Sequence, residues 1–236
     1  MTTRCQSLAQ VACCIDEGEV ARLRHELRTL GWAMSRGPEG HTLANWMLQA
    51  AQCLGWQTFT QRGKHRIETI TPLDELVARP RSLSATYGLN AFPFHVDTSH
   101  WSVPARYLML GAPQYDESRR PTELLNRESI ALTQEEVEML YQGLFLIRAG
   151  RVSFYASSAL KGQPFLRLDP GCMQPLDAHA KRALRLFTKP AFANKIVEIC
   201  WRAGSVLFID NWRVLHRRGS TSSPYRPRTL LRIVAS

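Results

Sequence analysis

No stretch of this 236-residue sequence approaches the roughly 20 consecutive apolar residues that a membrane-crossing helix requires, so no membrane span is expected. The six cysteines (Cys5, Cys13, Cys14, Cys53, Cys172, Cys200) form no Cys-x-x-Cys pair and keep no regular spacing. That argues against a secreted disulfide framework and for reduced thiols in a cytoplasm. The first residues carry one arginine and a short apolar run broken by Gln6, Gln10 and Asp16, a poor match to a secretory leader. Repeats, low-complexity tracts and convincing linkers are also missing, so one domain over residues 1–236 is expected, with residues 1–66 mainly helical. Acidic residues are scarce: 20 Asp and Glu face 30 Lys and Arg, a formal charge of +10. Such a surplus suits nucleic acid, an anionic membrane or an anionic substrate. Here the basic residues are scattered rather than gathered in one stripe, which argues against a nucleic-acid partner. Oligomeric state cannot be read from the sequence.

What is present is enough for a core, with 44% apolar and 9% aromatic residues. Val20, Leu23, Leu27 and Leu30 recur at helical spacing before Gly31, and a short strand over 32–35 is expected next. Thr42 is placed to cap a second helix carrying Leu43, Trp46, Met47, Ala50 and Leu54. Residues 67–80 read as loop, and 82–87 have the β-branched and aromatic character of a strand before a turn at 88–90. Tyr107–Leu110 fits a buried strand. Thr133-Gln-Glu-Glu136 is a capping box for a helix with Val137, Leu140, Tyr141 and Leu144. Strand-like pieces follow over 145–168, then a basic amphipathic helix over 177–187. Strands at 196–201, 205–209 and 229–234 close the chain.

Two pieces carry chemistry. In Phe92-Pro-Phe-His-Val-Asp97, His95 and Asp97 lie two residues apart, so on extended backbone both project from one face. In Phe208-Ile-Asp-Asn-Trp-Arg-Val-Leu-His-Arg-Arg218, His216 follows a late strand. Taken singly, His-x-Asp is a common chance match, and a lone histidine near a strand is more often a hydrogen-bonded core residue. Together they make two imidazoles and one carboxylate, a facial set that holds Fe(II) and leaves three positions open. Arg228 and Arg232 follow, and either could fork onto a carboxylate.

This conjunction resembles the Fe(II)/2-oxoglutarate dioxygenases of the taurine dioxygenase and clavaminate synthase-like superfamily. Asp210-Asn-Trp-Arg-Val-Leu-His216 is most similar to the γ-butyrobetaine and trimethyllysine hydroxylase branch. The resemblance is concentrated in residues 82–125 and 196–236. It implies a mixed α/β, mainly β fold: a double-stranded β-helix, or jelly roll, with flanking helices. It implies His95, Asp97 and His216 as ligands of Fe(II), and 2-oxoglutarate and O2 as cosubstrates. Arg228 would clamp the distal carboxylate of 2-oxoglutarate, and Thr122 would be a second contact. Arg232 falls where some members hold a substrate anion or the proximal carboxylate; a protein acid such as Asp210 is its alternative partner. His100 and Trp101 are expected at the mouth, as substrate contacts or as a packed lid. Asp210 and Asn211 are candidates for shaping the turn before His216. Arg217 departs from the Gly or aromatic residue common after the second histidine. Because the carboxylate ligand is present, hydroxylation or desaturation of a small anionic or amino-acid-like molecule is the implied outcome. Two rivals remain, an oxidative nucleic-acid demethylase of the same cosubstrate class and a non-catalytic jelly-roll binding protein. The long gap from His95 to His216 argues against the first.

Overall fold

The computed structural model describes residues 15–60, 66–78, 82–221 and 227–236. Its helices are α1 (Glu17–Thr29), α2 (Leu43–Cys53), α3 (Leu83–Tyr87), α4 (Gln134–Gln142) and α5 (Ala178–Leu186). The first strands are β1 (Trp32–Arg36), β2 (Glu68–Ile70), β3 (Tyr107–Gly111), β4 (Thr122–Asn126), β5 (Phe145–Ala149) and β6 (Val152–Ala156). They are followed by β7 (Met173–Pro175), β8 (Val197–Ile199), β9 (Ser205–Asp210), β10 (Val214–Arg218) and β11 (Leu230–Ala235). Strand order is β1-β9-β3-β11-β2 in a five-stranded sheet, β10-β4-β8 in a second and β6-β5-β7 in a third. All these pairings are antiparallel.

Side-chain alternation layers these sheets. Met109, Val206, Phe208 and Ile233 turn one face of the large sheet onto α1 and α2, packing with Leu23, Leu27, Leu43, Trp46 and Met47. Leu108, Leu110, Leu207, Ile209, Leu230 and Val234 face the other way and meet Leu124, Ile199 and Val214 of the second sheet. That shared interior is the space between the two sheets of a jelly roll. On the outer side of the second sheet, Leu125 and Leu215 join Phe94, Val96, α4, α5 and β5 in a third cluster.

Alternation also decides where charge goes. Arg232 sits between Leu230 and Val234 on the inward face of β11. Burying each such Leu or Val is worth about 1.5–3 kcal/mol. A one-residue slip would turn all of them outward together. The apolar residues therefore fix the register, and Arg232 is carried inside with them.

Capping explains most helix starts. Asp16, Ser82, Thr133 and Asp177 each accept a bond from a backbone N–H in the first turn of α1, α3, α4 and α5, and Thr133 with Glu136 completes the expected capping box. Thr42 does not cap α2; it ends a 3-10 turn over Gly40–Thr42, is helical itself, and donates to the Glu39 carbonyl. Residues 83–87 form α3 rather than a strand, because Ser82 offers a cap and no neighbouring strand is there to pair. Residues 166–168 stay outside the strands. Cys53 is disulfide-bonded, which corrects the expectation of reduced thiols, while Cys172 and Cys200 are free. The N-terminal features read as a poor leader, with Cys5, Cys13 and Cys14, lie in residues 1–14, outside the described residues. Among the described residues no helix is long and apolar enough to cross a membrane.

Gly143 ends α4 against the start of α5. A Cβ there would come within 2.7 Å of both the Met139 carbonyl oxygen and the Ala180 nitrogen. Neither is a side chain that can swing away, so Gly143→Ala should cost about 1–3 kcal/mol. Calorimetry should show Tm lowered by several degrees; an unchanged Tm would mean that this helix junction is not close-packed.

Candidate metal centre

The His95 segment is not a regular strand. It meets β10 at a single antiparallel bridge, His95 to His216. There the His95 N–H donates to the His216 carbonyl at 3.0 Å and the His216 N–H to the His95 carbonyl at 3.1 Å. Directly bridged residues put their side chains on the same side of the pair. The two imidazole centroids are accordingly 4.2 Å apart, tilted by 51°.

Alternation then brings in the carboxylate. Phe94 and Val96 point into the cluster beneath α4 and α5, so His95 and Asp97 point the opposite way. On β10 Leu215 points into that same cluster and Val214 into the interior between the sheets, so His216 takes the interior side. Candidate ligand atoms of His95, Asp97 and His216 lie within 4.8 Å of one another, and His95 Nε2 is 3.5 Å from Asp97 Oδ1.

The environment suits a divalent ion. Burial, reinforced by His95 alongside, pushes His216 down to about 3, so its imidazole stays neutral and able to ligate. Its Nδ1 is buried without a hydrogen-bond partner. Burial works to raise the Asp97 carboxyl, but the Arg232 charge and both imidazoles hold it well below the usual carboxylate range. The carboxylate is thus ionised. His95 Nδ1 lies 3.2 Å from the Pro93 carbonyl, which orients that ring. Two neutral-capable imidazoles and one carboxylate are a donor set that fits Fe(II).

A cavity of about 200 Å³ opens beside the three residues. Thr122, Arg228 and Arg232 line it with them, so the three expected ligands and the three expected anion contacts meet in one place. Thr122 is the first residue of β4, on the same face as Leu124; its hydroxyl accepts from Trp201 Nε1 at 3.0 Å. Arg228 is buried, donates to the Arg120 carbonyl and lies over the Trp201 ring at 5.6 Å. It makes no ion pair among the described residues. Burial lowers it to about 10; the Asp116 charge works to raise it, and Arg218 and Arg120 nearby act with burial. Arg232 is different: Nη1 donates to Asp97 Oδ2 at 3.1 Å and Oδ1 at 3.3 Å, and Nε donates to Glu68 Oε2 at 3.1 Å. Burial works to lower it, but those two acids raise it.

Asp210 is not the acid that meets Arg232; it pairs with Arg106 at 3.4 Å. His100 and Trp101 do not line the cavity; Trp101 packs edge-on against Phe59. Of the other two cavity arginines, Arg217 is neutralised by Glu123, and Arg218 donates to the Asn90 and Gly88 carbonyls. Sequence reasoning missed Glu68, whose short edge strand shows no distinct period. It also missed the contacts of Asn211, whose side chain reaches back to Asp97. Only its place in the turn before His216 hinted at a role.

Residues 134–234 match the family model described as "Taurine catabolism dioxygenase TauD, TfdA family". Among solved structures, the fold is similar to asparagine oxygenase in complex with Fe(II), 2S,3S-3-hydroxyasparagine and succinate. The TM-score is 0.71 at 16% identity, covering 91% of this chain and 78% of that one. It is also similar to the non-heme iron oxygenase OrfP with Fe and alpha-ketoglutaric acid, with TM-score 0.69, 21% identity and coverage of 94% and 80%. OrfP with Fe, succinate and (3S)-hydroxy-L-Arg gives TM-score 0.69 at 19% identity over 94% and 82%. At these identities the likeness establishes the fold, the expected jelly roll. No curated protein matches the chain by sequence.

Removing one ligand should separate binding from folding. The chain should take up one divalent ion, and Asp97→Ala should weaken it by more than the roughly 10–100-fold typical of losing a partner behind a ligand. The metal-free Tm should change little, because Glu68 still pairs with Arg232. Calorimetric titration with Mn(II) checks this; parent-like binding by the variant would remove Asp97 from the site.

Proposed function

We propose that this chain is an Fe(II)- and 2-oxoglutarate-dependent oxygenase of the TauD/TfdA type that hydroxylates a C–H bond of a small zwitterionic, amino-acid-like molecule with release of succinate and CO2. One observation carries the reading: the His-Asp-His cluster, Arg232 and the buried Arg228, which makes no ion pair among the described residues, line one cavity.

Each residue has a task set by its chemistry. His95, Asp97 and His216 would hold Fe(II), which when bound with 2-oxoglutarate and O2 supplies the oxidising power for C–H cleavage. Arg228 makes no ion pair among the described residues, Asp116 acting on its charge without a salt bridge, and a buried guanidinium without a paired anion is costly. A cosubstrate carboxylate supplies that anion, and the guanidinium fork matches its two oxygens. The Thr122 hydroxyl faces the same space and, fixed by Trp201 Nε1, is oriented toward a second polar contact. Arg232 and Glu68 offer opposite charges side by side next to the metal ligands. Arg232, which lines the cavity, complements the carboxylate of an α-amino acid. The asparagine oxygenase and OrfP structures, which hold hydroxylated amino acids, point the same way. A small cavity suits a small molecule better than a polymer.

A succinate-release screen tests the substrate class. Free amino acids and related zwitterions should trigger turnover, and a response confined to neutral apolar molecules or oligonucleotides would sink the reading. Arg228→Ala tests the cosubstrate clamp. Losing a buried guanidinium–carboxylate contact costs about 2–5 kcal/mol, or roughly one and a half to three and a half decades in the 2-oxoglutarate requirement. Arg148→Ala, an exposed arginine bonded to Gln174, should leave that requirement unchanged. Equal effects would mean that Arg228 is not the clamp.

A further inference from the structure

We infer that Asn211 and Thr98 are positioning residues that together set the placement of the Asp97 carboxylate, and through it the affinity of the metal site. The inference rests on the triad being that site. Asp97 lies just past the point where its segment stops pairing as a strand, since the bridge to β10 is confined to His95 and His216. Its backbone would have no partner there. The Asn211 amide takes the partner's place: Oδ1 accepts from the Asp97 N–H at 2.9 Å, and Nδ2 donates to the Asp97 carbonyl at 3.1 Å. The same Nδ2 donates to the Ala105 carbonyl at 2.8 Å. One donor and two acceptors leave the amide a single workable orientation.

Thr98 closes the ring. Its hydroxyl donates to the Asp97 carbonyl at 2.6 Å and accepts from the Ala105 N–H at 2.8 Å. Both backbone groups of Asp97 and both of Ala105 are thus answered by two side chains. All four residues are buried, Asn211 completely. Thr98 does this at φ +58°, a left-handed conformation that a β-branched residue rarely takes. Such a conformation persists where the surroundings over-determine it. Here the surroundings are the backbone on either side of a metal ligand.

Asn211 also belongs to the turn between β9 and β10, and its own N–H donates to the Arg106 carbonyl at 2.7 Å. It therefore ties the Asp97 segment to the turn that leads to His216. The three candidate ligands are referenced to one another twice, by the histidine bridge and by this amide.

Co(II) titration of the metal-free chain, followed by calorimetry and visible absorbance, tests the inference without any substrate. Asn211→Asp keeps the size and the acceptor for the Asp97 N–H but cannot donate to either carbonyl. Thr98→Val keeps the branched shape and removes the hydroxyl. Each should weaken Co(II) binding by about 10–100-fold, the usual effect of losing a partner behind a ligand. Each should also alter the absorbance of the bound ion, a signature that loss of stability alone would not produce. If either variant fails to fold, the other decides. Binding within twofold of the parent, with the same spectrum, in a folded variant would overturn the inference while leaving the metal site in place. No Co(II) binding by the unaltered chain would overturn both.

Discussion

The pair of backbone hydrogen bonds between His95 and His216 is the constraint on which the site depends. It joins two segments distant in sequence, and because directly bridged residues face the same way, it delivers both imidazoles to one side at once. Once that is fixed, period-2 alternation does the rest. Phe94, Val96 and Leu215 are drawn into the cluster under α4 and α5, and this turns His95, Asp97 and His216 toward the opposite side. The apolar residues supply the free energy and the polar ones follow the parity. Arg232 obeys the same rule on β11, carried inward between Leu230 and Val234.

That dependence explains what could be read in advance. Parity is written in the sequence: the His-x-Asp spacing and the apolar alternation of β3, β9 and β11 carry over into shared faces. Helix starts marked by a capping box, as at Thr133, are equally local. Contacts between polar side chains on distant segments leave no such trace. The pairing of Glu68 with Arg232, the Asn211 amide on Asp97 and the choice of Arg106 rather than Arg232 by Asp210 depend on how the sheets close, not on any period. Short segments are ambiguous for the opposite reason. Residues 83–87 have strand-like side chains, yet with Ser82 as a cap and no strand alongside they form a helix turn.

The charges around the cavity divide into answered and unanswered. Arg217 has Glu123, and Arg232 has Asp97 and Glu68. Among the described residues Arg218 donates to backbone carbonyls, and Arg228 donates to the Arg120 carbonyl and lies over an aromatic face, neither making an ion pair. Burial lowers both Arg218 and Arg228 to about 10, whereas two carboxylates raise Arg232. Among the described residues, arginine without an ion pair is thus found at the Arg228 end, where Asp116 acts on the charge without a salt bridge, while the acids that do pair with arginine lie beside the candidate ligands. A ligand bridging the two must present an anion to the first and metal-binding atoms to the second, which is the shape of a 2-oxo dicarboxylate.

Irregularity in the backbone follows the same division. Among the described residues only two other than glycine adopt positive φ, Thr98 at +58° and Arg119 at +48°. The first follows Asp97, a candidate ligand; the second precedes Arg120, whose carbonyl holds Arg228, and lies close before Thr122. Each such residue costs on the order of 1–3 kcal/mol, comparable with what one buried aliphatic side chain returns. Three of the buried polar atoms without partners, on His216, Asp116 and Arg120, belong to the same neighbourhood. The sheets are regular where they only have to pack. The two positive-φ residues adjoin segments that carry Asp97 and Thr122, and the unmet Nδ1 of His216 lies in the candidate ligand set, where a metal would sit.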